Sequence, residues 1–444
     1  MSCWPSCELF YSLMLTLLVI FSGCYMISAE DMADKDVFQT NNQPPLQFGQ
    51  AKEPRYLLYD VNPGEGFNLR RDVYIRVANL VKVLNEDEPW ILVLPPWGRL
   101  YHWQTRELGA QIKIPWSTFF DLESLRKHIP VIEFEDYLKV IGKPVIGEVY
   151  YLQGYKEGWD KWEEKMDIRE CIEKPRYQQD ENGKWKGPFF YYEEVYAEKF
   201  ACMSAQSYAV SMKPFLMKNT TARSVFLDRA EALIHGMFSE WSAEYWTARR
   251  SMRFSRELRD IGDAFREKYL RSNDKKDKTE LMDWTNMKRK HGDALGGPYL
   301  AVHLRRKDYL HAHSKQVPTL KNAAKQIKKF LIKYDVQRVF VATDAPEEEF
   351  IEFVQKFKKT KIYRFEPTKE ILEKYKDGGV AIIDQWICAH ARVFVGTYVS
   401  TFTFRIHEER EILGFSQEST YNRLCGSEED DKECEQPTKW SISY

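Results

Sequence analysis

Neither sign of charge predominates: 65 Lys and Arg stand against 66 Asp and Glu, a formal net charge of −1 over 444 residues. Dedicated nucleic-acid binders carry a clear basic excess, so that class is excluded, and any hold on an anionic ligand must come from a local cluster. The chain also lacks GxGxxG, a P-loop and a Gly-x-Ser-x-Gly elbow, which removes the commonest dinucleotide, nucleotide and serine-hydrolase signatures. It has no CxxC pair, so a zinc ribbon or thioredoxin-type site is not expected. Outside residues 9–28 no apolar run is long enough to span a bilayer, which excludes a multispan protein. What the chain does have is apolar and aromatic substance: 43% hydrophobic residues, with 13 Trp, 25 Tyr and 26 Phe. That is enough to bury a large core and to exclude global disorder. The length suits two to three domains or one two-lobed enzyme.

Leu9–Phe21 (LFYSLMLTLLVIF) followed by Ile27-Ser28-Ala29 reads as a signal-peptide core with cleavage near Ala29, although no Lys or Arg precedes it. An uncleaved type II anchor is the alternative, and either delivers the remainder to the lumen. With Cys3, Cys7 and Cys24 in the leader, five cysteines remain. We expect Cys171–Cys202 and Cys425–Cys434 bridges, with Cys388 a buried free thiol in the apolar run VAIIDQWICAHA. Asn219-Thr220-Thr221 is the N-glycosylation sequon.

Residues 30–54 are a polar tail. Arg55–Tyr59 and Trp90–Leu94 read as strands around a helix with Val73, Val77, Leu80, Val81 and Leu84 on one face, the opening of a parallel α/β layer. Residues 155–200, rich in Trp and Tyr, read as an insertion pinned by the first disulfide. Residues 220–270 read as helical, and Ser272–Lys290 as a solvated charged loop. Strand and helix patterns alternate again from Tyr299–Leu304 through Val339–Thr343, Ile362–Phe365 and Val393–Val395. The expectation is an α/β protein of two Rossmann-like domains facing each other across a cleft.

Ligands of open parallel sheets sit beyond the carboxyl ends of the strands, and that rule selects three loops. In Asn62–Asn68 (NPGEGFN), Glu65 stands between two glycines and before a helix; it is either a general base or an acid favoured by the helix dipole. His303-Leu304-Arg305-Arg306-Lys307-Asp308 places cations at a strand end, suited to a diphosphate or to salt bridges with neighbouring acids. Gly396–Phe402 joins a strand to a helix, where Ser400 or Thr401 either caps the helix or leaves its amides to cradle phosphate. Asp384 in the preceding helix either accepts hydrogen bonds from a base or ribose or belongs to an ion pair. Asp34-Lys35-Asp36 and His311/His313 are poor metal sites, so no metal is expected.

The blocks YLLYDVNPGEGFNLRRDVYIRVANL, LVLPPWGRLYHWQ, GGPYLAVHLRRKDY, FVATDA, KDGGVAIIDQWICAHARVFVGT and STFTFRIHEEREILGF occur in that order from residue 55 onward. Together they resemble GDP-fucose protein O-fucosyltransferases that modify thrombospondin type 1 repeats. The one departure is Gly64, where a second proline is expected. After the signal peptide at 1–29 and the tail at 30–54, the resemblance implies a GT-B fold, with an N-terminal Rossmann-like domain at 55–250 and a GDP-fucose-binding Rossmann-like domain at 251–444. It implies inverting transfer of fucose from GDP-β-L-fucose to Ser or Thr of folded repeats in the endoplasmic reticulum lumen, or the Golgi, without a metal and without stable membrane insertion once the leader is removed. It assigns Glu65 as the base and Arg305 as stabiliser of the departing phosphate. Gly64, Gly66, Phe67, Asn68, His303, Asp384, Thr401 and Phe402 would bind the donor. The alternatives are a transferase for another folded repeat, such as the EGF type, or for a glycan, and a non-catalytic lumenal chaperone of such repeats. Trp159, Trp162, Trp185 and Tyr191 of the insertion either line a broad acceptor cleft or form a satellite core.

Overall fold

A computed structural model describes residues 53–158, 161–429 and 434–444. The apolar leader, its cleavage site, the polar tail up to residue 52 and Trp159 lie outside the described residues. Lys52–Tyr444 forms one compact unit. Among the described residues no helix is long and apolar enough to cross a membrane.

The described strands fall into two sheets. In the first, β1 (Arg55–Tyr59), β2 (Trp90–Leu94), β3 (Val131–Glu133), β4 (Val145–Gln153), β8 (Tyr196–Gln206) and β9 (Ser224–Asp228) run parallel in the order β3-β2-β1-β9-β4-β8. The insertion supplies β5 (Lys165–Arg169), β6 (Gln178–Gln179) and β7 (Trp185–Lys186), which extend this sheet as antiparallel strands at the β8 edge. The second sheet, order β12-β11-β10-β13, is wholly parallel and holds β10 (Gly297–Leu304), β11 (Arg338–Thr343), β12 (Lys361–Tyr363) and β13 (Ala391–Val395).

Two expectations fail here. Ser224–Asp228 is a central strand between β1 and β4, not helix; all five residues are buried. A short run buried on both faces has no periodicity to separate strand from helix. Ser272–Lys290 is not simply solvated: Arg266, fully buried, draws Asp274 and Asp277 onto it at 2.8 and 3.4 Å beside Asp263 at 2.6 Å. A buried guanidinium needs carboxylate partners, and the charged loop provides them.

The two sheets share a core. The helix Phe67–Leu84 buries Val73, Val77, Leu80, Val81 and Leu84, the stripe expected from its spacing. The helix Lys369–Ala389 approaches the first half so closely that a Cβ on Gly378 would lie 2.6 Å from Phe119 and Trp103. Buried charges add to the join. Glu408, on the helix Thr401–Leu413, accepts from Arg249 at 2.5 Å and from Tyr245 at 2.5 Å, while Arg405 of the same helix reaches Asp72 at 3.4 Å. Breaking one member of such a network leaves a buried charge unpaired, at a cost of about 3–5 kcal/mol.

Candidate active site

In each sheet, strand order reverses beside the first strand of its half, and the loops selected from sequence leave the sheets there. After β1 the chain turns through Asn62–Glu65, the Glu65 amide donating to the Asn62 carbonyl at 2.9 Å. Arg70 fastens this turn from the helix below: it donates to the Val61, Asn62 and Glu65 carbonyls at 2.9, 3.1 and 3.2 Å and pairs with Asp60 at 2.9 Å. Phe67 sets the start of the helix by wedging its ring among Trp97, Trp103 and Phe119, with centroids 4.9, 5.8 and 5.6 Å away. Glu65 lies ahead of the first helical turn and is half-buried. Among the described residues its carboxylate enters no hydrogen bond or ion pair.

Across from it, β10, between β11 and β13, runs through His303 and Leu304 into Arg305, the first residue past its end. The Arg305 amide donates to Thr397 Oγ1 at 3.1 Å, and Thr397 Oγ1 in turn donates to the His303 carbonyl at 2.7 Å, so the two strand ends are laced together. The Arg305 guanidinium is held by Asp308 at 2.6 Å, by Asp344 at 2.9 Å and by His102 Nδ1 at 3.2 Å. Arginine can only donate, so His102 Nδ1 accepts and its proton sits on Nε2. Burial, then the adjacent Arg305 charge, lowers the His102 pKa. His303 packs its ring on Phe402 at 4.4 Å and uses Nδ1 on Thr403 at 2.9 Å, leaving Nε2 for the cavity. Burial pushes the His303 pKa down to about 3, so the ring is neutral.

The helix Thr401–Leu413 begins at the same place. Neither hydroxyl caps it: Ser400, its N-cap residue, makes no side-chain bond to the first turn. Its open amides therefore present partial positive charge. Val399 just before it is wound to φ 38°, a β-branched residue in left-handed backbone and 55% exposed. Strain of that kind, on the order of 1–3 kcal/mol, persists where surrounding structure imposes it and gathers at functional loops. Asp384 completes the floor. Its Oδ1 is inaccessible to solvent and unpartnered among the described residues, and burial raises its pKa well above the carboxylate range. It is not a structural ion-pair member.

The ends of the three loops and Asp384 line one cavity of about 590 Å³, within the ordinary range for a small-ligand site. Gly64, Glu65, Gly66, Phe67 and Asn68 form one wall; His303, Arg305, Asp384, Thr401 and Phe402 form the other. Arg306 answers to the blander alternative for the cationic loop: it is buried against Glu349 at 2.5 Å and the Pro318 carbonyl at 2.7 Å. His102 and Asp344 went unselected in the sequence. Asp344 was within reach of the strand-end rule, since it follows β11; no spacing marks His102, which only the folded chain brings to Arg305. The Cys171–Cys202 and Cys425–Cys434 bridges form, with Cα atoms 5.2 and 5.6 Å apart, and Cys388 is a buried free thiol. Asn219 is exposed at a helix end. Of the aromatic insertion, Trp185 packs on Phe200 at 5.0 Å and Trp162 stacks on Tyr208 at 5.6 Å, away from this cavity.

Chemically, the arrangement opposes an accessible carboxylate to a guanidinium and an open helix N-terminus across a space the size of a sugar nucleotide. A family model described as GDP-fucose protein O-fucosyltransferase matches residues 56–413. A relative in Pan troglodytes named GDP-fucose protein O-fucosyltransferase 2 is 56% identical over 399 residues, covering 89% of this chain and 91% of the relative. Its namesake in Caenorhabditis elegans is 47% identical over 436 residues, 96% and 98% of the two chains. The crystal structure of POFUT1 in complex with GDP superposes with a TM-score of 0.53 at 16% identity, over 84% of this chain and 99% of that one. That last likeness concerns the fold, which is of GT-B type.

Proposed function

Because the chain belongs to the GDP-fucose protein O-fucosyltransferase family, we propose that the shared cavity carries out inverting transfer of fucose from GDP-β-L-fucose to Ser or Thr of folded thrombospondin type 1 repeats. The observation that carries this reading is the joint presence of Glu65 and Arg305 on opposite walls of one cavity. Asp384, unpartnered at Oδ1, accepts from the donor's guanine or ribose. The diphosphate lies against the open N-terminus of Thr401–Leu413 and the Arg305 guanidinium, beside the neutral His303 ring. Glu65 takes the proton of the acceptor hydroxyl while that oxygen bonds to the anomeric carbon. The bond from that carbon to the β-phosphate oxygen breaks on the opposite face, and GDP leaves with the electron pair. Negative charge grows on the phosphate as the bond breaks, so a fixed cation there favours the transition state over the bound donor. Asp308, Asp344 and neutral His102 keep that cation in place. Arg305 and the helix amides supply the positive charge, and the reaction is proposed to need no metal. The two disulfides and the exposed Asn219 sequon support synthesis through an oxidising lumen; residence in the endoplasmic reticulum is part of the proposal.

The test is transfer of labelled fucose to a folded thrombospondin repeat, beside a reduced repeat and a folded EGF repeat, with and without a chelator. Glu65→Gln and Arg305→Ala should each lower kcat by roughly 10²–10⁴ while GDP affinity falls much less for Glu65→Gln. Full activity of Glu65→Gln would refute the assignment of the base. Preference for the EGF repeat would move the enzyme to a different acceptor.

A further inference from the structure

A second cavity, of about 160 Å³, adjoins the Asn62–Glu65 turn. Asp60, Pro63 and Arg70 line it, so the residues that hold the Glu65 turn are also its wall. Pro63 is two positions from Glu65, which places the two Cα atoms within about 7 Å. The volume is too small for a second nucleotide and suits one amino-acid side chain.

Its remaining walls are unusual in backbone and in charge. Arg99, Phe190 and Tyr191 all line it, and all have left-handed backbone, with φ of 47°, 54° and 67°. Each costs on the order of 1–3 kcal/mol. Two are held by their surroundings: the Arg99 amide donates to the Gln111 carbonyl at 2.8 Å, and Phe190 is buried against Phe134 with centroids 4.8 Å apart. The result turns Tyr191, 42% exposed, toward Arg99, whose guanidinium lies 5.2 Å from its ring centroid. Two exposed guanidiniums, Arg99 and Arg176, flank the cavity, and among the described residues neither forms an ion pair with a carboxylate. Asp60 is paired with Arg70; buried Asp228, which feels the Arg176 charge, forms no ion pair with it and accepts from Tyr177 at 2.8 Å; Glu193 at the edge adds one opposing charge.

We propose that this cavity is an acceptor subsite that takes an Asp or Glu side chain of the acceptor polypeptide, a few residues from the hydroxyl that receives the sugar. The inference rests on the transferase reading above. An acceptor whose hydroxyl meets Glu65 runs past Pro63. At about 3.3 Å per extended residue, a side chain two to four positions away enters the cavity. Its carboxylate then meets Arg99 and Arg176, and its stem lies on Tyr191.

The experiment uses the folded repeat of the transfer assay. Positions within four residues of the modified Ser or Thr carry Glu, Gln or Lys in turn. With the wild-type enzyme, at least one position should rank Glu above Gln above Lys, acceptor KM rising about tenfold from Glu to Gln, as for loss of a charge-assisted pair. In Arg99→Gln/Arg176→Gln the ranking should flatten, and Arg176→Glu should tilt it toward Lys, with KM for GDP-fucose moving less than twofold. GDP binding by calorimetry checks that the variants are folded. The acceptor series on the wild-type enzyme needs no variant. An unresponsive acceptor series, or the same ranking in wild type and double variant, overturns the subsite and leaves the transferase reading standing. No transfer by the wild-type enzyme to the parent repeat overturns both.

Discussion

Asp377 ties the two halves together at the mouth of the donor cavity, and its removal tests whether that tie shapes the site. Its carboxylate accepts from the Thr105 amide at 3.1 Å, from Thr105 Oγ1 at 2.5 Å and from Gln111 Nε2 at 2.9 Å, while its own amide donates to Gln111 Oε1 at 3.1 Å. Thr105 and Gln111 belong to the segment that carries His102, the residue touching Arg305. The preceding residue, Lys376, interrupts the helix Lys369–Ala389 with φ 57° and ψ −173°, backbone that side chains other than glycine rarely adopt. Bonds to a carboxylate are worth about 1.5–3 kcal/mol when buried. For this half-buried group about 1 kcal/mol each is the safer figure, or roughly 3 kcal/mol for three. Asp377→Ala should therefore speed local opening of residues 97–111 by about 10², since 1.4 kcal/mol is tenfold. Hydrogen exchange at the Thr105 amide reads this directly, because its bond goes to the deleted carboxylate. Lys376→Gly should act in the opposite sense and stabilise by about 1 kcal/mol, as glycine relieves the positive φ. The reasoning fails if Thr105 exchanges at the wild-type rate in a folded Asp377→Ala protein, or if Lys376→Gly is less stable than the parent.

Acid should weaken the fold early. Burial lowers the pKa of His128, His303 and His407 to about 3, so between pH 6 and 4 the unfolded chain binds protons that the folded chain refuses. Stability from these groups is present above their unfolded pKa and is lost as pH falls. Asp228, pushed up to about 6 by burial, and Asp384, raised well above its usual range, act in the opposite sense by one proton each, while His390, also lowered to about 3 by burial, adds one in the first sense. The net loss is about 3 kcal/mol per pH unit; urea midpoints that stay flat from pH 6 to 4.5 would contradict it. Gly64→Ala should raise the melting temperature through a gain of about 0.4–1 kcal/mol, because its φ is outside the left-handed region and a Cβ meets nothing within 4 Å. Opening Cys171–Cys202, which spans 31 residues, should cost about 3–4 kcal/mol of chain-closure entropy. Limited proteolysis of the insertion in Cys171→Ser/Cys202→Ser measures it.

Much of this protein was legible in the chain. Apolar strands ending in NPGEGFN, HLRRKD and GTYVSTF could be placed at the carboxyl edges of parallel sheets, because backbone direction and side-chain period are local properties that sequence writes directly. Those three loops do meet in one cavity, and Cys171–Cys202 and Cys425–Cys434 do pair. Local pattern could not tell that Ser224–Asp228 is a strand, since burial on both faces erases its period. Nor could it tell that Arg306 faces Glu349 while its neighbour Arg305 faces the cavity. His102 against Arg305, Asp377 against Thr105 and the paired strain at Phe190 and Tyr191 were decided by the tertiary structure alone. Each depends on contacts between residues distant in sequence or on backbone angles imposed by packing, and neither is carried by any short stretch of residues.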